Sequence, residues 1–231
     1  STYSYLWSNG AVTQNLTGLS AGTYTVTVTD SKGCISTIDK SITQPGTLSI
    51  SLTAQTNVTC NGNSDGSLDI NASSGTAPYT FSWSNNSVAE DINGLPAGIY
   101  TVTITDASLC MVIKSYTITQ PDPISSSISV NTIISCNAGS NGTLNLTVSG
   151  GTTSYSYSWS NGTTLEDVSG LGAGTHNVTI TDANNCVSNA SFNLSEPGAF
   201  SASVISKTDV SCNGGNNGSA TASGTGGTGT I

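Results

Sequence analysis

The side chains here that could do chemistry are six cysteines, a lone histidine and a few carboxylates. Cys34, Cys60, Cys110, Cys136, Cys186 and Cys212 are separated alternately by 26 and 50 residues. No Cys-x-x-Cys pair occurs and His176 is the only imidazole, so the spacing does not offer the clustered ligands of a zinc site. Isolated, regularly spaced cysteines in a turn-rich sequence point instead to structural disulfides made outside the cell.

Asn61-x-Asn63-x-Asp65-Gly66 has the opening pattern of a calcium loop. Calcium favours several carboxylates, however, and this loop has one. The third copy, Asn213 to Gly218, has none, and in the second copy position 139 is a glycine. A plain Asn/Gly turn is therefore the reading. Asp106, with the adjacent Glu90 and Asp91, is the second calcium candidate. An ion there would stiffen a joint and not catalyse. Neighbours on a strand face opposite ways, so Glu90 and Asp91 do not form an acid–base pair. The first copy carries Gln14-Asn15 at that place. Both read as charges that blunt an edge strand. His176 stands where other copies have Tyr24 and Tyr100. Nothing marks a nucleophile for it, so it reads as a packing variant that weakens its turn. No cofactor other than calcium is implied, and no enzymatic activity.

These positions are set by a repeat. Trp7, Trp83 and Trp159 are 76 residues apart, and so are Asp30, Asp106 and Asp182. Both cysteine series and Pro45, Pro121 and Pro197 keep the same step. On this frame residues 1–47 are a partial repeat that starts at its tryptophan strand. Residues 48–123 and 124–197 are complete repeats, and residues 198–231 hold the first two strands of another. The sequence reads as an internal segment of a longer tandem array.

Within a repeat the pattern is that of strands. Gly94-Leu95-Pro96-Ala97-Gly98 turns the chain. Tyr100, Val102 and Ile104 then alternate with Thr101, Thr103 and Thr105, giving one buried and one wet face. Leu48 to Leu52, Ser67 to Ala72 and Tyr79 to Trp83 alternate likewise. Val88 to Ile92 makes one edge strand or two, and Cys110 to Thr119 the last strand. Seven short strands in about 75 residues, with regular turns, predict an all-β fold of tandem antiparallel sandwiches of immunoglobulin or fibronectin type. Exposed indoles could stack on sugars, but Trp83 alternates with Tyr79 and Phe81 and belongs in the core. Leu95 to Tyr100 and Leu19 to Tyr24 resemble the tyrosine corner of such domains. Gln120-Pro121-Asp122-Pro123 is a short, stiff linker.

A formal charge of −9, with four lysines and no arginine, disfavours nucleic acid and anionic membranes as partners. No apolar run is long enough to insert in a membrane. The cysteine pairing stays open at this level. Cys60 with Cys110 closes within a repeat, whereas Cys110 with Cys136 folds back across a linker. Simple sandwich topology places the loop of Cys60 and the hairpin of Cys110 at opposite ends. Either Cys60 lies nearer that hairpin than drawn, or the bridge joins repeats.

The order Cys60-Asn61-Gly62, Asp65-Gly66-Ser67, Gly75-Thr76-Ala77-Pro78-Tyr79, Ser82-Trp83-Ser84, Ala97-Gly98-x-Tyr100, Asp106, Cys110 and Gln120-Pro121 resembles the SprB-type repeat. That family occurs in large surface adhesins of gliding Bacteroidota. The resemblance covers essentially the whole chain; Leu109 in place of a turn glycine and His176 in place of tyrosine depart from it. It implies a filamentous adhesin, exported by the type IX system, associated with the outer membrane and used in gliding. Its partners would be neighbouring repeats, with surface polysaccharide or the substratum gripped elsewhere on the chain. It also implies a disulfide within each repeat.

Overall fold

The computed structural model describes residues 2–227, which contain seventeen strands and no helix. β1 (Ser4–Trp7), β2 (Gly22–Thr29) and β3 (Ile35–Ile42) form one sheet in that order. β4 (Ser49–Thr56), β5 (Gly66–Ser73), β6 (Thr80–Trp83), β7 (Ile92–Leu95), β8 (Gly98–Thr105) and β9 (Met111–Ile118) make two sheets, β4-β5-β7 and β6-β8-β9. The pattern recurs as β10 (Ser125–Thr132), β11 (Gly142–Ser149), β12 (Ser156–Trp159), β13 (Val168–Leu171), β14 (Gly174–Thr181) and β15 (Val187–Leu194), in sheets β10-β11-β13 and β12-β14-β15. β16 (Ser201–Thr208) and β17 (Ser219–Thr225) pair as a ribbon. The pairings are antiparallel. The fold is the all-β, immunoglobulin-like sandwich in tandem.

By contact the chain divides into two compact units. One holds Ser1–Gln55, Leu68–Ile92 and Ile99–Tyr116; the other holds Thr56–Ser67, Asn93–Gly98 and Thr117–Ile231. In the first unit the period-two faces bury Leu68, Ile70, Val102 and Ile104, with Trp83 beside Tyr116 at 6.3 Å between ring centres. β3, by contrast, is exposed along its length.

In the second unit the repeat 124–197 has one closed core. Leu144 and Leu146 on β11, with Val168 and Leu171 on β13, face Trp159, Val178, Ile180 and Leu194 on the opposing sheet. The alternation read from sequence is what buries them, because each second residue of a strand shares a face. Each such aliphatic side chain contributes about 1.5–3 kcal/mol on burial. Gly142, the last residue of the calcium-like pattern in that copy, is needed for packing: a Cβ there would lie 2.9 Å from the Leu171 carbonyl oxygen.

Each complete repeat has six strands, where the sequence pattern predicts seven. Val88 to Asp91 does not form a strand, and the short strand starts only at Ile92. The reason lies in the two carboxylates. Asp91 Oδ1 accepts the Ile70 amide at 2.9 Å and Glu90 Oε1 the Ala72 amide at 3.5 Å. In the next copy Asp167 Oδ1 accepts the Leu146 amide at 3.0 Å. Side chains thus bond the edge of β5 and β11 beyond the short strand paired there. The expectation that Glu90 and Asp91 point to opposite faces of a strand is corrected accordingly.

Candidate functional site: the cross-repeat disulfide and its two turns

Two turns build this site, and each recurs three times. The first lies between the first two strands of a repeat. Asn63 N–H donates to the Cys60 carbonyl at 3.0 Å, as Gly139 does to Cys136 at 3.0 Å and Gly215 to Cys212 at 2.9 Å. Asp65 accepts from the Thr59 amide at 3.1 Å and from the Thr59 hydroxyl. Those bonds, the hydroxyl first, hold its carboxyl below the ordinary range. Asn141 Oδ1 accepts the Ser135 amide at 3.1 Å, and Asn217 Oδ1 the Ser211 amide at 3.1 Å. An amide oxygen replaces the carboxylate without changing the turn. The position therefore requires an acceptor and not a charge, which is a structural role for Asp65.

This turn is tied to the outgoing end of its repeat. Asn61 Nδ2 donates to the Pro121 carbonyl at 3.0 Å and Gly62 N–H to Gln120 Oε1 at 2.9 Å. In the following repeat Asn137 Nδ2 reaches the Pro197 carbonyl at 3.3 Å, and Ala138 N–H donates to Glu196 Oε2 at 2.7 Å.

The second turn is the hairpin between the last two strands. Asp182 Oδ1 accepts the amides of Asn184 and Cys186, both at 2.8 Å, and Oδ2 accepts that of Thr152 at 2.8 Å. Asp106 does the same with Ser108, Cys110 and Thr76, each at 2.9 Å. Asp30 takes the Lys32 and Cys34 amides at 2.9 and 2.8 Å. Asn185 and Leu109 adopt left-handed φ values of 63° and 62° where Gly33 has 86°. Leu109 thus tolerates the glycine's conformation, with its side chain in solvent. This hairpin belongs to the incoming end, since Gly151 N–H donates to the Asp122 carbonyl of the linker at 2.8 Å.

Burial pushes the Asp106 and Asp182 carboxyls up, but the amide donors, Thr76 and Thr152 foremost, outweigh it and leave both lowered. A carboxylate with a lowered folded-state pKa contributes stability that is complete above the ordinary range and is lost as pH falls through the lowered value. Thermal melts should therefore show stability declining below about pH 4. The Asp182→Asn chain should be less stable at neutral pH and show a shallower acid decline. An unchanged pH profile in that variant would count against the assignment.

Cys60 is bonded to Cys186, with 5.6 Å between Cα atoms and a sequence separation of 126. The first-loop cysteine of one repeat is thus joined to the last-hairpin cysteine of the next. Asn184 Nδ2 braces the link, donating to the Thr59 carbonyl and to Thr152 Oγ1, both at 3.1 Å. Neither Cys60–Cys110 nor Cys110–Cys136 forms; Cys34, Cys110, Cys136 and Cys212 are free and exposed. The repeat 124–197 shows why the within-repeat pairing fails. Its Cys136 turn is held at Glu196–Pro197, and its Cys186 precedes the eight-residue β15. At ~3.4 Å per residue that strand spans about 27 Å, far beyond the roughly 4.4–6.8 Å that a disulfide bridges between Cα atoms.

The SprB repeat model matches residues 52–88, 128–164 and 204–231, in steps of one period. The chain carries SprB repeats. No curated protein matches it. Among solved structures the chain is similar to the N-terminal eight Ig domains of Down Syndrome Cell Adhesion Molecule. That match has 13% identity and a TM-score of 0.34, over 90% of this chain and 34% of the other. It is also similar to Sidekick-1 immunoglobulin domains 1–4, at 12% identity and a TM-score of 0.35, over 84% and 67%. A C-terminal intimin fragment in complex with its translocated receptor's binding domain gives 12% and 0.31, over 78% and 59%. The chain thus spans about a third of the first of these and more of the others.

Other candidate residues of the SprB repeats have local roles. Trp83 Nε1 donates to the Ala89 carbonyl at 2.9 Å and Trp159 Nε1 to that of Leu165 at 3.0 Å, with both rings buried. Trp7 donates likewise to Thr13 at 2.9 Å but is half-buried. Tyr24 makes the tyrosine corner, its hydroxyl donating to the Ser20 carbonyl at 3.1 Å. Tyr100 is buried in the core. His176 makes the corner too, through Nε2 to the Gly172 carbonyl at 2.9 Å. A carbonyl only accepts, so Nε2 carries the proton, and the corner expected to weaken is kept. The calcium candidates Asp65, Asp106, Glu90 and Asp91 all accept hydrogen bonds from the protein itself. No cluster of three metal-binding side chains occurs among the described residues.

Proposed function

We propose that this chain is a load-bearing stalk segment of a long, repetitive cell-surface adhesin that supports attachment and gliding. The carrying observation is the Cys60–Cys186 bond, which joins successive repeats covalently beside their four-residue linker. A disulfide also suits an exported, extracellular protein. Export by the type IX system and association with the outer membrane follow from the likeness to adhesins that carry this repeat. Residues 48–123 and 124–197 act as its two complete beads, flanked by parts of two others. Its partners are neighbouring repeats. Polysaccharide or substratum is gripped by other parts of the adhesin, because the buried Trp83 and Trp159 present no stacking surface. The residues serve scaffolding and not catalysis.

Single-molecule pulling with reductant present tests this. Each complete repeat should yield separately and release up to roughly 270 Å of contour, from 76 residues at about 3.6 Å each. A single rip of the whole chain would sink the stalk reading.

A further inference from the structure

The three first-loop turns share one hydrogen-bond pattern, and so do the three last-hairpin turns. Every cysteine is therefore presented as Cys60 or Cys186 is. In the first loop Cys60, Cys136 and Cys212 each accept the amide three residues on. In the hairpin Cys34, Cys110 and Cys186 each donate their amide to an aspartate four residues back. The observed bond spans 126 residues, one 76-residue period and the 50-residue spacing inside a repeat. Applied to all six cysteines, that offset finds both partners within residues 1–231 for one pair only. That is the pair the structure shows, and the four cysteines without a partner at that offset are the four that are free.

We propose that Cys60–Cys186 is one rung of a disulfide ladder, in which each first-loop cysteine is joined to the last-hairpin cysteine of the repeat that follows. Cys136 and Cys212 are then half-rungs toward a following repeat, and Cys34 and Cys110 toward a preceding one. Forming a rung takes two thiols to a disulfide. Two protons and two electrons pass to a disulfide oxidant, such as an oxidised dithiol oxidoreductase or glutathione disulfide, which leaves as two thiols.

The rungs interleave, because Cys136 lies inside the loop closed by Cys60 and Cys186. A covalent path that enters at Cys60 crosses to Cys186, runs 26 residues to Cys212 and crosses again. A second path uses Cys110 to Cys136 in the same way. Each 26-residue piece holds a last strand, a linker and a first strand. The intervening 50-residue pieces, such as Cys60 to Cys110, lie off the load path. Two repeats then expose 26 residues to tension instead of 152, a nearly sixfold shorter path. The pairing rule does not rest on the stalk reading, and its test is separate.

Peptide mapping without reductant, after alkylation of free thiols, tests it on the chain itself and on a chain lengthened by a second copy of residues 124–199 placed after residue 199. Both are oxidised with glutathione disulfide. The native chain should give the Cys60–Cys186 peptide and four alkylated cysteines. The lengthened chain should add a second rung, from Cys136 to the last-hairpin cysteine of the added copy. In Cys60→Ser, Cys186 should be alkylated. Pulled by its ends, the oxidised native chain should extend over 105 of its 231 residues, about 2.2-fold less than with reductant, since the bond removes 126. A Cys60–Cys110 or Cys136–Cys186 peptide, an alkylated Cys136 in the lengthened chain, or equal extension in both redox states would overturn the ladder.

Discussion

Replacing Cys60 with serine should destabilise the compact unit that holds it by about 5 kcal/mol. The figure follows from the chain-entropy account of a cross-link closing a loop of this length, here a 126-residue separation. The loss arises mostly in the unfolded chain, which gains freedom once its ends are released. Contacts around the link change little: the first loop keeps its bonds to Gln120 and Pro121, and the hairpin keeps its aspartate. Urea midpoints of the oxidised chain, the reduced chain and the Cys60→Ser chain measure this. The last two should coincide, well below the first. Cys136→Ser removes an exposed, unbonded thiol and should stay within about 0.5 kcal/mol of the parent. Equal losses for Cys60→Ser and Cys136→Ser would contradict the connectivity.

The second large effect is expected for Trp159→Ala, a loss of about 3–5 kcal/mol confined to the repeat 124–197. The indole is 3% exposed and sits among Leu144, Leu146, Val178 and Ile180. Its removal leaves a cavity between two thin sheets that have little freedom to collapse. It also strips the Leu165 carbonyl of its indole donor. The same change at half-buried Trp7 should cost clearly less, because part of that ring already meets water. Circular dichroism during urea titration compares the two. Similar losses at both positions would contradict the burial difference.

Most of this architecture is legible in the sequence because its signals are local. The alternation of Tyr100, Val102 and Ile104 with threonines places a strand and its buried face, and the 76-residue step fixes where the pattern recurs. The absent seventh strand is less legible. Val88 to Ile92 has strand-like residues, but its carboxylates find backbone donors on β5, a contact that no local pattern encodes. The disulfide is harder still. Its partner lies in another repeat, and the choice depends on Asn61 and Gly62 holding their loop to Gln120 and Pro121, about 60 residues away in sequence. Sandwich topology, with the two cysteine turns at opposite ends, leaves a bond between repeats open, but the resemblance implies one within each repeat, and the Cys60–Cys186 bond overturns that. His176 shows the opposite lesson: what the corner demands is a ring donor of the right reach, and imidazole supplies one.

The carboxylates of Glu90, Asp91 and Asp167 have a consequence beyond one sandwich. An amide already bonded to an oxygen cannot recruit a foreign strand, and a negative side chain beside it repels another edge of the same kind. Successive copies of the sandwich carry the same margin, as Asp91 and Asp167 show. Closing that margin with acid side chains lets copies stand side by side without zipping together.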